Sequence, residues 1–253
     1  MYLTRAWALP LIPLTLWAAL LLSGKETELF LYINQATQVL PSWLWAGFSF
    51  LGNGWGIFAL SFPLILFARR QLVCALISGA FAAIIASVLK PIINLPRPAG
   101  VLPENSFHIL GNPLFINALP SGHTLTAFAI ASAYFFSISK QNRNQFLILF
   151  LLAAFAGISR NAVGAHWPSD ILIGSALGIW CGLLASKLGQ YVKPEWLDPK
   201  AHLSRLIAIS SIGVLYVLQT QTLDFSNNSF LQDCSSLMIV ITLILFIRLQ
   251  VKK

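Results

Sequence analysis

"LVCALISGAFAAIIASVL", residues 72–89, runs for 18 positions without a charged side chain. A half-buried strand would alternate apolar and polar residues, and a membrane-barrel strand would do so over about 10 residues. This stretch does neither. A bilayer core about 30 Å thick is crossed by about 20 predominantly apolar helical residues, and within it only helices and closed barrels satisfy every backbone N–H and C=O. The run therefore predicts a spanning helix. The whole chain agrees, with 57% of its 253 residues hydrophobic and 9% charged and a mean hydropathy of +0.76. Soluble domains carry roughly 25% charged residues.

Outward from this stretch, similar runs predict spanning helices over 7–23, 49–68, 71–89, 121–138, 145–160, 170–189, 204–220 and 236–250. The expected fold class is all-α, a polytopic transmembrane helical bundle. Residues 1–200 would form the main transmembrane domain and 201–253 a C-terminal transmembrane hairpin. No small-x-small cleavage site follows "WAALLLSGKETE" (17–28), so the first segment reads as an uncleaved anchor. Residues 28–48, interrupted by Asn34, Gln35, Gln38 and Pro41 and bearing Trp43 and Trp45, read as one interfacial helix with an aromatic anchor. Cys74, Cys181 and Cys234 lack the close pairing of a metal site and read as small buried hydrophobes.

The formal net charge is +8. With the N-terminus inside, 12 of the 16 Lys and Arg, from Arg5 to Lys252 and Lys253, fall on the inner face, the bias expected of cytoplasmic loops. Both termini are then cytoplasmic. The positive balance reflects topology and contact with membrane lipids, not nucleic acid. Lys25, Lys90, Arg97 and Arg160 stay outside, and the last three lie in or beside stretches rich in other polar residues: "KPIINLPRP" (90–98), "PSGH" (120–123) and "SRNAVGAHWPSD" (159–170).

Each stretch falls at a helix end on the same side, so a bundle can bring all three together. Lys90, Arg97 and Arg160 have no acidic neighbour in these stretches except Asp170, so their shared partner is an anion from outside the chain. Guanidinium forks suit phosphate oxygens, and lysine adds a point charge. Ser121 is a helix N-cap, Gly122 permits close backbone approach, and free N–H groups at that helix start add to an anion site. His166 lies four residues before Asp170, so the carboxylate can reach one ring nitrogen and leave the other as a nucleophile. His123 sits beside the Ser-Gly turn, where it can donate a proton to a leaving oxygen. Metal-assisted hydrolysis would need a cluster of ligands, and Asp170 is the only carboxylate in these stretches, so neither metal nor cofactor is expected. Singly, each element has a plainer reading as a cap, a surface histidine or a membrane-flanking cation. Together, against the charge bias, they point to one phosphate site. His108 reads as a loop residue and His202 as solvated.

As a set these residues resemble the signature of the type 2 phosphatidic acid phosphatase superfamily, membrane lipid phosphatases that share a motif with vanadium haloperoxidases. That pattern, K-x6-R-P, P-S-G-H and S-R-x5-H-x3-D, is matched by Lys90, Arg97 and Pro98; by Pro120, Ser121, Gly122 and His123; and by Ser159, Arg160, His166 and Asp170. The resemblance covers about residues 45–190. It implies a six-helix core whose site faces the periplasm or exterior of a bacterial plasma membrane. It also implies that His166 forms a phosphohistidine oriented by Asp170, that His123 is the acid and then the base, and that Lys90, Arg97, Ser121, Gly122 and Arg160 cradle the phosphate without a metal. Undecaprenyl diphosphate is the first expected substrate. Phosphatidylglycerophosphate and lipid A phosphatases, phosphotransfer to a lipid acceptor, and transport of an anionic lipid without chemistry are the alternatives. The loop 99–119, with Phe107, Ile109, Leu110, Leu114 and Phe115, is expected to form a lid or lipid gate. The C-terminal loop "TLDFSNNSFLQDC" (222–234) is expected to be a solvated connection.

Overall fold

The computed structural model describes residues 6–251, and these are helical with no β-strand. Arg5, Lys252 and Lys253, which enter the charge count, lie outside the described residues. The helices are α1 (Leu11–Ser23), α2 (Glu26–Thr37), α3 (Ser42–Phe50), α4 (Gly54–Ser61), α5 (Arg69–Ile93), α6 (Gly122–Ser137), α7 (Ile148–Ala162), α8 (Pro168–Leu188), α9 (His202–Thr220) and α10 (Ser229–Val251), with short 3-10 turns between several of them.

A helix occupies each expected span, but not all match the expected length. Among the described residues five helical segments are long and apolar enough to cross a membrane, and a bent pair can make a sixth. The expected span 49–68 starts at the elbow of that pair and covers its second arm: α3 and the segment Gly54–Ile65 meet at 71°. Helix-poor Gly52, Asn53 and Gly54 break the run, and Asn53 starts the new helix by accepting from Trp55 N at 3.0 Å and Gly56 N at 3.4 Å. α1 has 13 residues, not 17, and α6 has 16; at about 1.5 Å per residue both fall short of a full crossing.

The single interfacial helix expected over 28–48 is instead two helices, α2 and α3, separated at Gln38–Pro41. Proline disfavours helical backbone in the residue before it, which accounts for the break. Trp45 is no lipid anchor: it is buried and donates from Nε1 to Thr37 O at 2.8 Å, bracing the two helices, while Trp43 is exposed. Cys74 and Cys181 are buried, but Cys234 is exposed on α10.

The core of the bundle is the α6–α8 pair, which packs more extensively than any other. Its closeness comes from a glycine stripe on α8. A Cβ added to Gly174 would lie 2.8 Å from Ser121 O, one on Gly178 2.5 Å from Leu125 O, and one on Gly182 2.3 Å from Ser132 Cβ. Small residues every fourth position let helix backbones meet in a membrane, where burial of apolar surface no longer drives helix association. The hairpin α9–α10 packs on α4 and the turn Phe62–Ile65 through a cluster including Phe62, Leu72, Ile207, Val214, Ile239 and Phe246.

Candidate active site

One end of this bundle gathers all three polar stretches. Lys90 lies in the last turn of α5, which continues to Ile93 and is closed by Asn94 in a left-handed conformation. Ser121 is the N-cap of α6, its Oγ accepting from Thr124 N at 3.4 Å. Arg160 lies in the last turn of α7, and His166 just before Pro168 opens α8. The first turns of α6 and α8 are joined by a hydrogen bond from Ser121 N to Asp170 O. Lys90 meets them at Gly122, where an added Cβ would stand 3.6 Å from Lys90 Nζ.

His166 is 1% exposed. Its Nδ1 lies 3.1 Å from Asp170 Oδ2, and the same oxygen accepts from Trp167 N at 2.9 Å. Its Nε2 lies 3.1 Å from Arg97 Nη1. Guanidinium has no acceptor, so Arg97 donates and Nε2 must present its lone pair. The proton then sits on Nδ1, donated to Asp170. Burial above all, and then the charges of Arg97, Arg160 and Lys90, push the imidazole well below the ordinary histidine range. His166 is held neutral.

Arg97 is fixed from three sides: Nε donates to Ile116 O at 2.7 Å, Nη1 to Ala165 O at 2.9 Å and Nη2 to Asn117 O at 3.2 Å. Arg160 donates from Nη1 to Ser49 Oγ and packs its guanidinium 5.9 Å from the Phe225 ring centroid. Arg160 Nε is buried with no hydrogen-bond partner among the described residues, an open donor in a polar pocket. A cavity of about 260 Å³ adjoins it, walled by Ile109, Leu110 and Leu114 on one side and Asp224 and Phe225 on the other.

Asp224 corrects the sequence reading. The expectation that Asp170 is the only carboxylate at the site fails, because Asp224 Oδ2 lies 2.9 Å from His123 Nε2 and 3.0 Å from Asn53 Nδ2. The loop read as a solvated connection is therefore part of the site, and much of it is helix: α10 begins at Ser229. Burial would raise the Asp224 carboxyl, but the charge and hydrogen bond of His123, with help from Arg160 and Asn53, outweigh it and hold the group down at about 2. A second missed carboxylate, Glu26, accepts from Ser169 N at 2.9 Å and ties the start of α2 to the start of α8.

Asn34, read as an interruption, is buried and clamps the site from outside. Its Nδ2 donates to Asn161 O and Ala162 O at the end of α7 and to His108 O, while its Oδ1 accepts from His108 N at 2.8 Å. Phe107 lies against Phe30 at 5.1 Å, so the loop 99–119 is held to α2 at Phe107 and His108. His202 is exposed, as expected. Among the described residues no three His, Cys, Asp or Glu side chains gather as a metal site would require.

The PAP2 superfamily model matches residues 71–194. Three curated relatives are named Lipid A 1-phosphatase. The one from Porphyromonas gingivalis is 41% identical over 68 residues, 27% of this chain and 15% of the relative. For those from Rhizobium johnstonii and Rhizobium etli the match is 30% identical and covers 42% of this chain and 43% and 45% of the relatives. The chain thus spans less than half the length of these proteins. An undecaprenyl-diphosphatase of Sulfolobus acidocaldarius is 26% identical over 65% of this chain and 79% of its own. The crystal structure of Aquifex aeolicus LpxE superposes with a TM-score of 0.57 at 32% identity, covering 64% of this chain and 94% of that one. The chain is a multi-span membrane protein of the PAP2 superfamily.

Proposed function

We propose that the protein hydrolyses the phosphate of a membrane lipid through a phosphohistidine on His166, with no metal in the reaction. The observation that carries this reading is the pair of contacts on one buried imidazole: Asp170 accepts a hydrogen bond from Nδ1–H, and Arg97 donates toward the Nε2 lone pair. In the first step Nε2 forms the N–P bond while the P–O bond to the lipid breaks, and His123 protonates the departing oxygen. In the second, His123 takes a proton from water, the water oxygen attacks phosphorus, and the N–P bond breaks to release inorganic phosphate and neutral His166. Lys90, Arg97, Arg160 with its open Nε, and the N-terminus of α6 at Ser121 and Gly122 offset the charge on the phosphoryl oxygens.

The substrate class follows from the surroundings. Leu114, Phe115 and Ile116 are exposed beside the cavity, apolar enough to rest among lipid headgroups. The sequence ranks undecaprenyl diphosphate first; the three relatives named Lipid A 1-phosphatase and the LpxE likeness favour a lipid A 1-phosphate. The charge bias supports a site on the outer face with both termini inside.

The test is phosphate release by the purified protein in detergent with EDTA, from lipid A, undecaprenyl diphosphate, phosphatidylglycerophosphate and phosphatidic acid, beside His166→Ala. Release from wild type alone is expected. Equal release by the variant would overturn the phosphohistidine, and lipid consumption without free phosphate would point to transfer onto an acceptor.

A further inference from the structure

The family match ends at residue 194, yet the loop joining α9 to α10 reaches back into the site. We propose that Asp224 is a positioning residue for His123, holding its imidazole in the tautomer protonated on Nε2 and leaving Nδ1 to serve the phosphate. The inference rests on the phosphatase reading for its consequence but not for its geometry.

The contact is built, not incidental. Asp224 is flanked by buried Leu223 and Phe225, so the backbone on both sides is anchored. Leu223 N donates to Gln232 Oε1 at 3.1 Å and Leu223 O accepts from Asn228 Nδ2 at 3.2 Å, while Gln232 Nε2 binds the carbonyls of Leu218 and Gln221, each at 2.7 Å. Phe225 packs with Trp45, Ala162 and Val163. Asp224 itself has φ +59°, a left-handed backbone that Asp and Asn tolerate better than most residues. Its carboxylate thereby reaches both His123 and Asn53.

A carboxylate accepts only, so the 2.9 Å contact requires a proton on His123 Nε2. The other groups facing His123 are Lys90 from α5, Arg160 from α7 and His166. Burial first, then Arg160 and Lys90, oppose a positive charge on the imidazole, and Asp224 is the anion set against them. A general acid beside two fixed cations needs such a counter-charge to hold its proton.

The experiment is ¹⁵N NMR of histidine-labelled protein in detergent micelles. The chain has four histidines, and His123→Gln assigns the signal. Wild type is expected to show His123 protonated on Nε2. In Asp224→Asn, which keeps the shape and the left-handed backbone, the His123 titration midpoint should fall by about one pH unit. Lipid turnover by the same variant should drop roughly 10- to 100-fold in kcat, with KM within about twofold and the alkaline limb of the profile moved down with the midpoint. Asn53→Ala, which retains Asp224 but removes its second donor, should give smaller changes of the same sign. An unchanged His123 tautomer and midpoint in Asp224→Asn would overturn the proposal. A shifted midpoint in a protein that releases no phosphate would uphold the pairing and overturn the phosphatase reading instead.

Discussion

The backbone N–H of Ser121 donates to the carbonyl of Asp170 across 3.1 Å. Each residue opens a helix, and each sits within a turn of a histidine, so this single bond sets the spacing between His123 on one element and His166 before the other. It forms where α6 and α8 approach closely, with Gly174 directly against Ser121 O.

Gly174→Ala puts a methyl 2.8 Å from Ser121 O, a backbone atom that cannot rotate away. Overpacking of this kind costs about 1–3 kcal/mol. The thermal midpoint in detergent should fall and kcat should fall at least roughly tenfold, as small displacements of reacting groups produce. Gly213→Ala, whose new Cβ meets nothing within 4 Å, serves as the control and should leave kcat unchanged.

Arg97→Lys keeps the charge and loses the fork. One ammonium cannot reach Ile116 O, Asn117 O, Ala165 O and His166 Nε2 together. Turnover should fall by roughly 100-fold or more, and the loss should appear in kcat measured at saturating lipid.

His166 sets a pH dependence of stability. Unfolded, it binds a proton near pH 6.5; folded, burial and its cationic neighbours hold it neutral well below that. The unfolded state therefore gains protons first as pH falls. Its effect is absent above about pH 6.5 and destabilises the fold below it, by up to about 1.4 kcal/mol per pH unit. His166→Asn, which cannot titrate, should show a smaller drop in thermal midpoint between pH 7.5 and 5.5 than wild type.

Leu114→Glu places an acid on the cavity wall that also holds Arg160 and Asp224. KM for a lipid substrate in vesicles should rise roughly tenfold, about 1.4 kcal/mol, while kcat for a short-chain, water-soluble phosphate ester should stay within about twofold.

The helical class, the three polar stretches and the His166–Asp170 pair were legible because each is local: an apolar run, a fixed spacing, one helical turn. The break at Gly52–Gly54 was less so, since hydropathy averages over two glycines and an asparagine flanked by aromatic residues. Asn34 looked like an interruption because its partners, the carbonyls ending α7, lie more than a hundred positions away. Asp224 was hidden for the same reason. Nothing near "TLDFSNNSF" marks one aspartate as paired, and the left-handed backbone that aims it is set by Leu223 and Phe225 going into the core. The glycines at 174, 178 and 182 stand four apart, but only the packed helices reveal that they form a contact face and which neighbour each admits.

Asn53 and Asp224 grip one another from positions 171 apart, with His123 between them in the chain. At about 5–20 residues per second, a ribosome delivers the aspartate roughly 10–30 s after the asparagine. Until then the nascent protein carries its histidines and the cations Lys90, Arg97 and Arg160 without the carboxylate that meets His123. The contact is complete only when the α9–α10 hairpin has been made, so a premature stop after residue 200 would leave every motif intact and the His123 pair unmade.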